Sequence, residues 1–248
     1  MALRPWLLRV HDGTLELRID PDKVTPSGPS DQRQSTIACG AALLDLRLAL
    51  THLGLTPHVA LLPSPDEPLL LARVSVSAAP AIPPGDERLL AAMLRRTTRR
   101  EPFGGGTVPV ELSDVLRTAA LEEGAVLQPV EGMRSAVLDI LLSEAEATTQ
   151  HDPARESGLR AQWATDPYRG GVHVLCTTRD NAADWVGAGL ALQRVLLEAT
   201  HHGLAARFFT LALEDPEQRE QVRRLACSGR YPQVVLELGP AAAPASDQ

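Results

Sequence analysis

The feature that most narrows what this chain can fold into is a repeat at a fixed offset. Advanced by 149 residues, the stretch Gly40 to Leu55 falls on Gly189 to Leu204, and eight of the sixteen positions are identical: Gly40/Gly189, Ala42/Ala191, Leu43/Leu192, Leu48/Leu197, Thr51/Thr200, His52/His201, Gly54/Gly203 and Leu55/Leu204. Self-similarity of this kind marks a repeated supersecondary unit. Ala/Leu-rich helices resemble one another through composition alone, but the shared Thr-His-x-Gly-Leu ending does not reduce to composition. In both copies a long apolar helix is followed by glycine, a short strand and an acidic turn with proline, Ser64-Pro65-Asp66-Glu67-Pro68 and Glu214-Asp215-Pro216-Glu217. Two helices apolar around most of their circumference can bury each other about a pseudo-twofold axis, as the interface of a homodimer would.

The rest of the chain reads as strands and helices in alternation. Leu7–Val10 and Leu15–Ile19 flank an Asp12-Gly13 turn and read as a hairpin. Helical spacing runs from Ser35 to Leu53, with Gly54 as its C-terminal cap. Extended segments are expected at Pro57–Leu62 and Leu69–Ser77, and the Ala/Pro run from Ala78 to Gly85 marks a boundary. Helices are expected at Asp86–Arg96, Glu111–Glu123, Arg134–Thr148, Asn181–His202 and Pro216–Ala226, and strands at Ala125–Val130, Val172–Thr177, Arg207–Ala212 and Pro232–Leu238. Residues 151–171 read as loop. The expected class is α+β, with two pseudo-symmetric halves packed around central helices. The halves are residues 1–80, degenerate, and 91–240, with a linker at 81–90 and a disordered tail at 241–248.

Composition removes several function classes. Lys+Arg of 24 against Asp+Glu of 31 gives a net charge of −7, which argues against nucleic acid or an anionic membrane as partner. No signal peptide or membrane-spanning run is recognisable, so a cytoplasmic protein is expected. Cys39, Cys176 and Cys227 are widely spaced without C-x-x-C, which supports neither a disulfide framework nor a zinc site, and Cys39 and Cys176, in apolar runs, read as buried thiols. Gly104-Gly105-Gly106 lacks the Lys-Ser/Thr of a phosphate loop, and no G-x-S-x-G is present. His201-His202 at a helix end suits a cap better than a metal, so no metal is expected.

The C-terminal part resembles the nitroreductase superfamily, and within it the Acg-like branch. The resemblance is carried by Thr177-Thr178-Arg179-Asp180, Asp184-Trp185-Val186-Gly187-Ala188-Gly189, Ala191 to Leu197, Ala199-Thr200-His201-His202-Gly203-Leu204, Leu213-Glu214 before Arg219, and Pro232 to Leu236 with Gly239. The first half matches through Pro5-Trp6 and Cys39 to Ala49. Between them, Arg95-Arg96-Thr97-Thr98-Arg99-Arg100-Glu101-Pro102-Phe103 resembles the family's arginine-rich opening segment. Relatives carry Ser-x-x-Asn-x-Gln before Pro-Trp and an arginine-containing segment after the last strand, and their stretch corresponding to Arg134–Val172 is longer. This sequence has neither motif, so the resemblance implies a flavin site truncated at both ends or completed by a partner chain.

The resemblance implies a nitroreductase-like fold that binds FMN between the two halves, a flavoprotein born of internal duplication. NAD(P)H would be the co-substrate, and a nitroaromatic, quinone or related small molecule the electron acceptor. Carried over by position, Arg95, Arg96, Thr97 and Arg99 would hold phosphate, because guanidinium forks match phosphate oxygens and a hydroxyl adds a donor. The same arginines would also complement a helix macrodipole without any ligand. Phe208, Phe209 and Thr210 would lie against the isoalloxazine ring, or the two phenylalanines would serve as core. No residue is named as catalytic. The alternative function is a noncatalytic flavin-storage or partner-subunit protein with the same fold, and the oligomeric expectation is a pseudo-dimeric monomer or a homodimer.

Overall fold

The structure, a computed structural model, describes residues 4–23, 29–78, 83–96, 108–150, 170–209 and 211–241. Among them are strands β1 (Trp6–His11), β2 (Thr14–Ile19), β3 (Leu55–Leu61), β4 (Leu70–Ala78), β5 (Val126–Val130), β6 (Gly171–Thr177), β7 (Leu204–Phe208) and β8 (Tyr231–Pro240). The helices are α1 (Pro29–His52), α2 (Pro84–Arg95), α3 (Val110–Glu122), α4 (Met133–Gln150), α5 (Ala182–His201) and α6 (Pro216–Ala226), with a 3-10 turn at Leu211–Leu213. Residues 84–90 of the expected linker are the first turns of α2. Residues 81–82 of that linker, the tail from 242, most of the expected loop at 151–171 and the Gly104-Gly105-Gly106 run lie outside the described residues.

Two antiparallel four-stranded sheets repeat one plan. Their orders are β1-β2-β4-β3 and β5-β6-β8-β7. The correspondence extends to register. Where β2 meets β4 the pairing slips between Leu17 and Arg18, and where β6 meets β8 it slips between Leu175 and Cys176. These two slips sit at the same step of the ladder, since Leu17 faces Ala72 and Arg18 faces Leu70 in one sheet, while Leu175 faces Val234 and Cys176 faces Pro232 in the other. A bulge of this kind twists and bends the strand that carries it, so the two sheets bend at equivalent places.

The central helices α1 and α5 cross at the repeated glycines. A β-carbon on Gly40 would run into the Val186 carbonyl, and one on Gly189 into the Ile37 carbonyl. Ile37 and Val186 are themselves 149 residues apart, so the contact is reciprocal, as an isologous twofold contact must be. Glycine inside a helix costs about 0.5–1 kcal/mol relative to alanine. Two such residues in the same crossing are accounted for by the close approach of the backbones that they allow.

The ends of both helices are built alike. Thr51 Oγ1 donates to the Arg47 carbonyl at 3.0 Å and Thr200 Oγ1 to the Leu196 carbonyl at 2.7 Å, each back-bonding one turn. Gly54 and Gly203 then adopt φ of 75° and 72°, the left-handed geometry that stops the helix. The repeated Thr-His-x-Gly-Leu is therefore a stop signal.

The halves differ in what covers their sheets. One face of the second sheet packs Leu127, Leu175, Leu236 and Leu238 against α3 and α5. The opposite face buries Val172, Val174, Cys176 and Val235 under α4 and α6. The first sheet buries Leu17, Ile19, Leu71 and Val74 against α1 and α2. On its edge strand β1, Val10 is 78% exposed.

Candidate functional site

Two clefts flank the central helices. The smaller, about 170 Å³, is walled by Arg95 and Arg96 at the end of α2, by Leu196, Ala199 and Thr200 of α5, and by Gly203 to Ala206 and Phe208 leading into and along β7. Three of the residues expected from the sequence, Arg95, Arg96 and Phe208, thus meet in one place. Arg95 donates its Nε to the Ala91 carbonyl at 3.2 Å, the last turn of its own helix. Arg96 lies close enough to Asp45 to oppose the upward pull that burial exerts on that carboxyl, which Gln193 also opposes through a 2.7 Å hydrogen bond.

Phe209 is placed elsewhere. It is 4% exposed and belongs to the core of the other sheet face with Ala212 and Leu213. The Arg207 guanidinium stacks 5.2 Å from its ring centroid. Of the two adjacent phenylalanines, Phe208 faces the cleft and Phe209 the core, as alternation at a strand end dictates. Thr97, Arg99 and Thr210 lie outside the described residues.

The larger cleft, about 550 Å³, opens between α1 and β3 on one side and α3 and the start of α5 on the other. Leu43, Pro57, Val59, Leu61 and Leu190 give it an apolar wall, and Arg47, Glu122, Glu123, Arg179 and Asp184 its charges. Glu123 is the hub: Arg47 Nη1 donates to it at 2.8 Å, and Arg194 donates through Nε and Nη2 at 2.9 and 2.7 Å. The sequence reading did not single out this cleft. The signal was available in the repeat, because at the 149-residue offset Arg47, Pro57 and Val59 fall on Leu196, Ala206 and Phe208 of the smaller cleft.

A half-buried polar cluster fastens the start of α5. Arg219 donates to both oxygens of Asp180 at 2.8 Å, and Trp185 Nε1 donates to the same carboxylate at 2.7 Å. Burial pulls the Asp180 carboxyl upward, but the hydrogen bonds from Arg219, Trp185 and Gln233 outweigh it and hold the group well below the usual carboxylate range. Arg33 of α1, 3% exposed, donates to the Leu213 and Gln233 carbonyls at 2.8 and 3.0 Å and so ties the first half to the second. Burial, with the neighbouring Arg219, brings its guanidinium down to about 10. Among the described residues there is no grouping of three metal-ligating side chains, and no helix is long and apolar enough to cross a membrane.

No family model matches the chain. Relatives do, and they cover nearly all of it. A Mycobacterium tuberculosis H37Rv protein named "Putative NAD(P)H nitroreductase Rv3131" is 29% identical over 95% of this chain and 79% of its own length. A second, named "Putative NAD(P)H nitroreductase acg", is 26% identical over 95% of this chain and 83% of its own. The chain is similar to these proteins along nearly its whole length. A third M. tuberculosis relative, named "Uncharacterized protein Rv3127", is 25% identical over 95% of this chain and 81% of its own. Among solved structures, a nitroreductase-like family protein from Bacillus cereus aligns over 64% of this chain and 89% of its own, at 17% identity and a TM-score of 0.48.

The smaller cleft can be tested against the flavin nucleotide that the nitroreductase resemblance implies. Its donor set fits the phosphate end, because two guanidinium groups stand at one rim and none of the described lining residues is a carboxylate. Its volume, about 170 Å³, is below the range of about 300–1,000 Å³ usual for a site holding a whole ligand. The described wall therefore accounts for one end of such a nucleotide.

Proposed function

We propose that this chain is an FMN-dependent NAD(P)H oxidoreductase of nitroreductase type, with its flavin phosphate at the Arg95–Arg96 rim of the smaller cleft. What supports the reading is that two arginines and a phenylalanine far apart in sequence share one cleft, in a chain whose relatives bear nitroreductase names. Bound flavin supplies two-electron chemistry between a nicotinamide and a nitroaromatic, quinone or related acceptor, and the protein contributes position and electrostatics. Arg95, held by one nitrogen to its own helix, keeps its terminal fork for bidentate contact with phosphate. Arg96, shared with Asp45, adds field more than directed hydrogen bonds. Phe208 with Leu204, Ala205 and Ala206 provides an apolar wall that keeps water from the other end of the ligand. The proposal also assigns Thr97 and Arg99 to the phosphate. Internal duplication of one half, residues 1–80 and 91–240, belongs to the reading and is supported by the shared bulge and the reciprocal glycines. The chain then works in the cytoplasm as a pseudo-dimer.

The test begins with colour. Purified protein, or apoprotein incubated with FMN, is expected to show flavin absorption that bleaches when NADPH is added without oxygen. Arg95→Ala should weaken FMN binding by about 1.5 kcal/mol or more, the worth of a charge-assisted hydrogen bond. Protein that stays colourless after reconstitution refutes the proposal, and bound flavin that does not bleach leaves a storage protein in its place.

A further inference from the structure

The two sheets treat their equivalent edge strands differently. In the order β1-β2-β4-β3 the strand β1 stands where β5 stands in β5-β6-β8-β7. An open edge presents unpaired amides and carbonyls, and it is a template for another strand unless something blunts it. On β5 that something is Pro129, which has no amide to offer, and its Leu127 and Val130 are buried. β1 has no proline, no lysine and no slip in its pairing with β2, and its Leu8 and Val10 are 42% and 78% exposed.

The hairpin fixes which backbone groups are free. Asp12 and Gly13 both have positive φ, 46° and 72°, the geometry of a two-residue turn whose flanking residues, His11 and Thr14, exchange hydrogen bonds. Antiparallel pairing alternates from there, so His11, Arg9 and Leu7 bond to β2, as does Pro5, whose carbonyl accepts from the Asp20 amide at 2.8 Å. Val10, Leu8 and Trp6 turn their amides and carbonyls to the open edge. Their side chains share one face, opposite Leu15, Leu17 and Ile19 and continuous with the core of the first half. The same three residues thus offer both the backbone and the apolar surface of an interface.

Antiparallel pairing of β1 with its own copy is self-complementary. A twofold axis at Leu8 sets Leu8 against its copy, Val10 against Trp6 and Arg9 against Leu7, so no two cations face each other. An axis at Arg9 would oppose two guanidinium groups, which is unfavourable. We infer that β1 is an interaction edge that takes a second copy of this chain, joining two four-stranded sheets into one antiparallel sheet. An isologous contact of this kind closes at two chains.

Light scattering on the full chain during size exclusion should give twice the 26.6 kDa of one chain. Val10→Pro removes an outward amide without breaking the ladder to β2, and Leu8→Lys sets a charge beside its own copy. Each should return the mass to that of one chain. Leu94→Lys, at a residue of α2 that is 80% exposed, should leave the dimer intact, which separates edge pairing from general surface stickiness. Cross-linking reads the register, since the chain's own three thiols are buried. Leu8→Cys, oxidised with diamide, should form a covalent dimer, because residues paired on the axis have Cα atoms about 5.5 Å apart. Val10→Cys should not, because its two copies are four residues out of step, about 14 Å. A monomer at about 100 µM, a dimer that survives both Val10→Pro and Leu8→Lys, a dimer that Leu94→Lys also dissolves, or a cross-link through Val10→Cys and none through Leu8→Cys overturns the inference.

Discussion

At the 149-residue offset the two clefts stand on the same framework, yet they carry different side chains: arginines alone among the charged described residues of one, paired carboxylates and arginines in the other. Arg47, Pro57 and Val59 line one where Leu196, Ala206 and Phe208 line the other. The end of α2 supplies two arginines to the smaller cleft, whereas the end of α3 supplies Glu122 and Glu123 to the larger. A homodimer would have to repeat one site twice. A chain with both halves in one polypeptide can let them diverge, and here the divergence lies in side chains of the central helices and edge strands and in the helices that cover them. Helix crossing, helix stops and sheet register stay paired, because each is fixed by backbone geometry. Charge at the rims is free of that constraint.

The strongest way to break the comparison is to break the framework both clefts share. Gly40→Val or Gly189→Val puts side-chain atoms where the partner helix has its carbonyl backbone, which cannot yield as a flexible side chain would. Overpacking usually costs about 1–3 kcal/mol, and a reciprocal backbone clash should lie at or above the top of that range. Urea unfolding should show both substitutions destabilising to a similar extent. A large effect at one glycine and none at the other would mean that the crossing is not reciprocal.

Next in size is the acidic hub of the larger cleft. Arg47→Ala alone leaves Glu123 with the two hydrogen bonds from Arg194, and a partly exposed ion pair contributes about 1 kcal/mol or less. Arg47→Ala together with Arg194→Ala strands a carboxylate whose side chain is 8% exposed, at a cost of about 3 kcal/mol. The double substitution should therefore exceed the sum of the singles. Additive losses would show that Glu123 relaxes to solvent. Among the described residues the smaller cleft has no such hub, so Arg95→Ala should leave stability almost unchanged while weakening flavin binding.

Acid should also separate the two clefts. Arg179 and Asp184 of the larger one flank Asp180, whose folded-state pKa is lowered, burial notwithstanding, by Arg219, Trp185 and Gln233. A lowered carboxyl stabilises the fold above its unfolded pKa of about 3.9, and that contribution is lost as pH falls through the folded value. In urea unfolding from pH 6 to 2, the gap between the unaltered chain and Asp180→Asn should hold above about pH 4 and close below it. A gap that widens toward low pH would contradict the assignment of the charge to Asp180.

Much of the framework was legible because its signals are local. Asp215 before Pro216 announces α6, and its side chain accepts from Gln218 N at 2.8 Å as an N-cap should. The Asp12-Gly13 turn placed the first hairpin. The strand expected at Arg207–Ala212 was misplaced: β7 is Leu204–Phe208, and the apolar run beyond it turns at Phe209, whose amide donates to the Val235 carbonyl, into the 3-10 turn Leu211–Leu213. Hydrophobicity alone does not distinguish a strand from a buried turn. The start of α1 was also hidden. Arg33 precedes the helix expected from Ser35, and only its two carbonyl acceptors, 180 and 200 residues away, make its burial intelligible. The pairing of Glu123 escaped for the same reason, since its arginines lie 76 and 71 positions away.

The smallest prediction is the one that bears most directly on likeness between the halves. Gly54 and Gly203 both stop a central helix in the left-handed region, and a β-carbon at either would meet nothing within 4 Å. The cost of Gly54→Ala and Gly203→Ala is then conformational alone, about 1–2 kcal/mol each. Because no packing difference enters, the two values should agree within about 0.5 kcal/mol and add in the double variant. Unequal values would place a strain in one half that the other lacks, and the pairing of the two helix stops would have to be given up even with the central crossing intact.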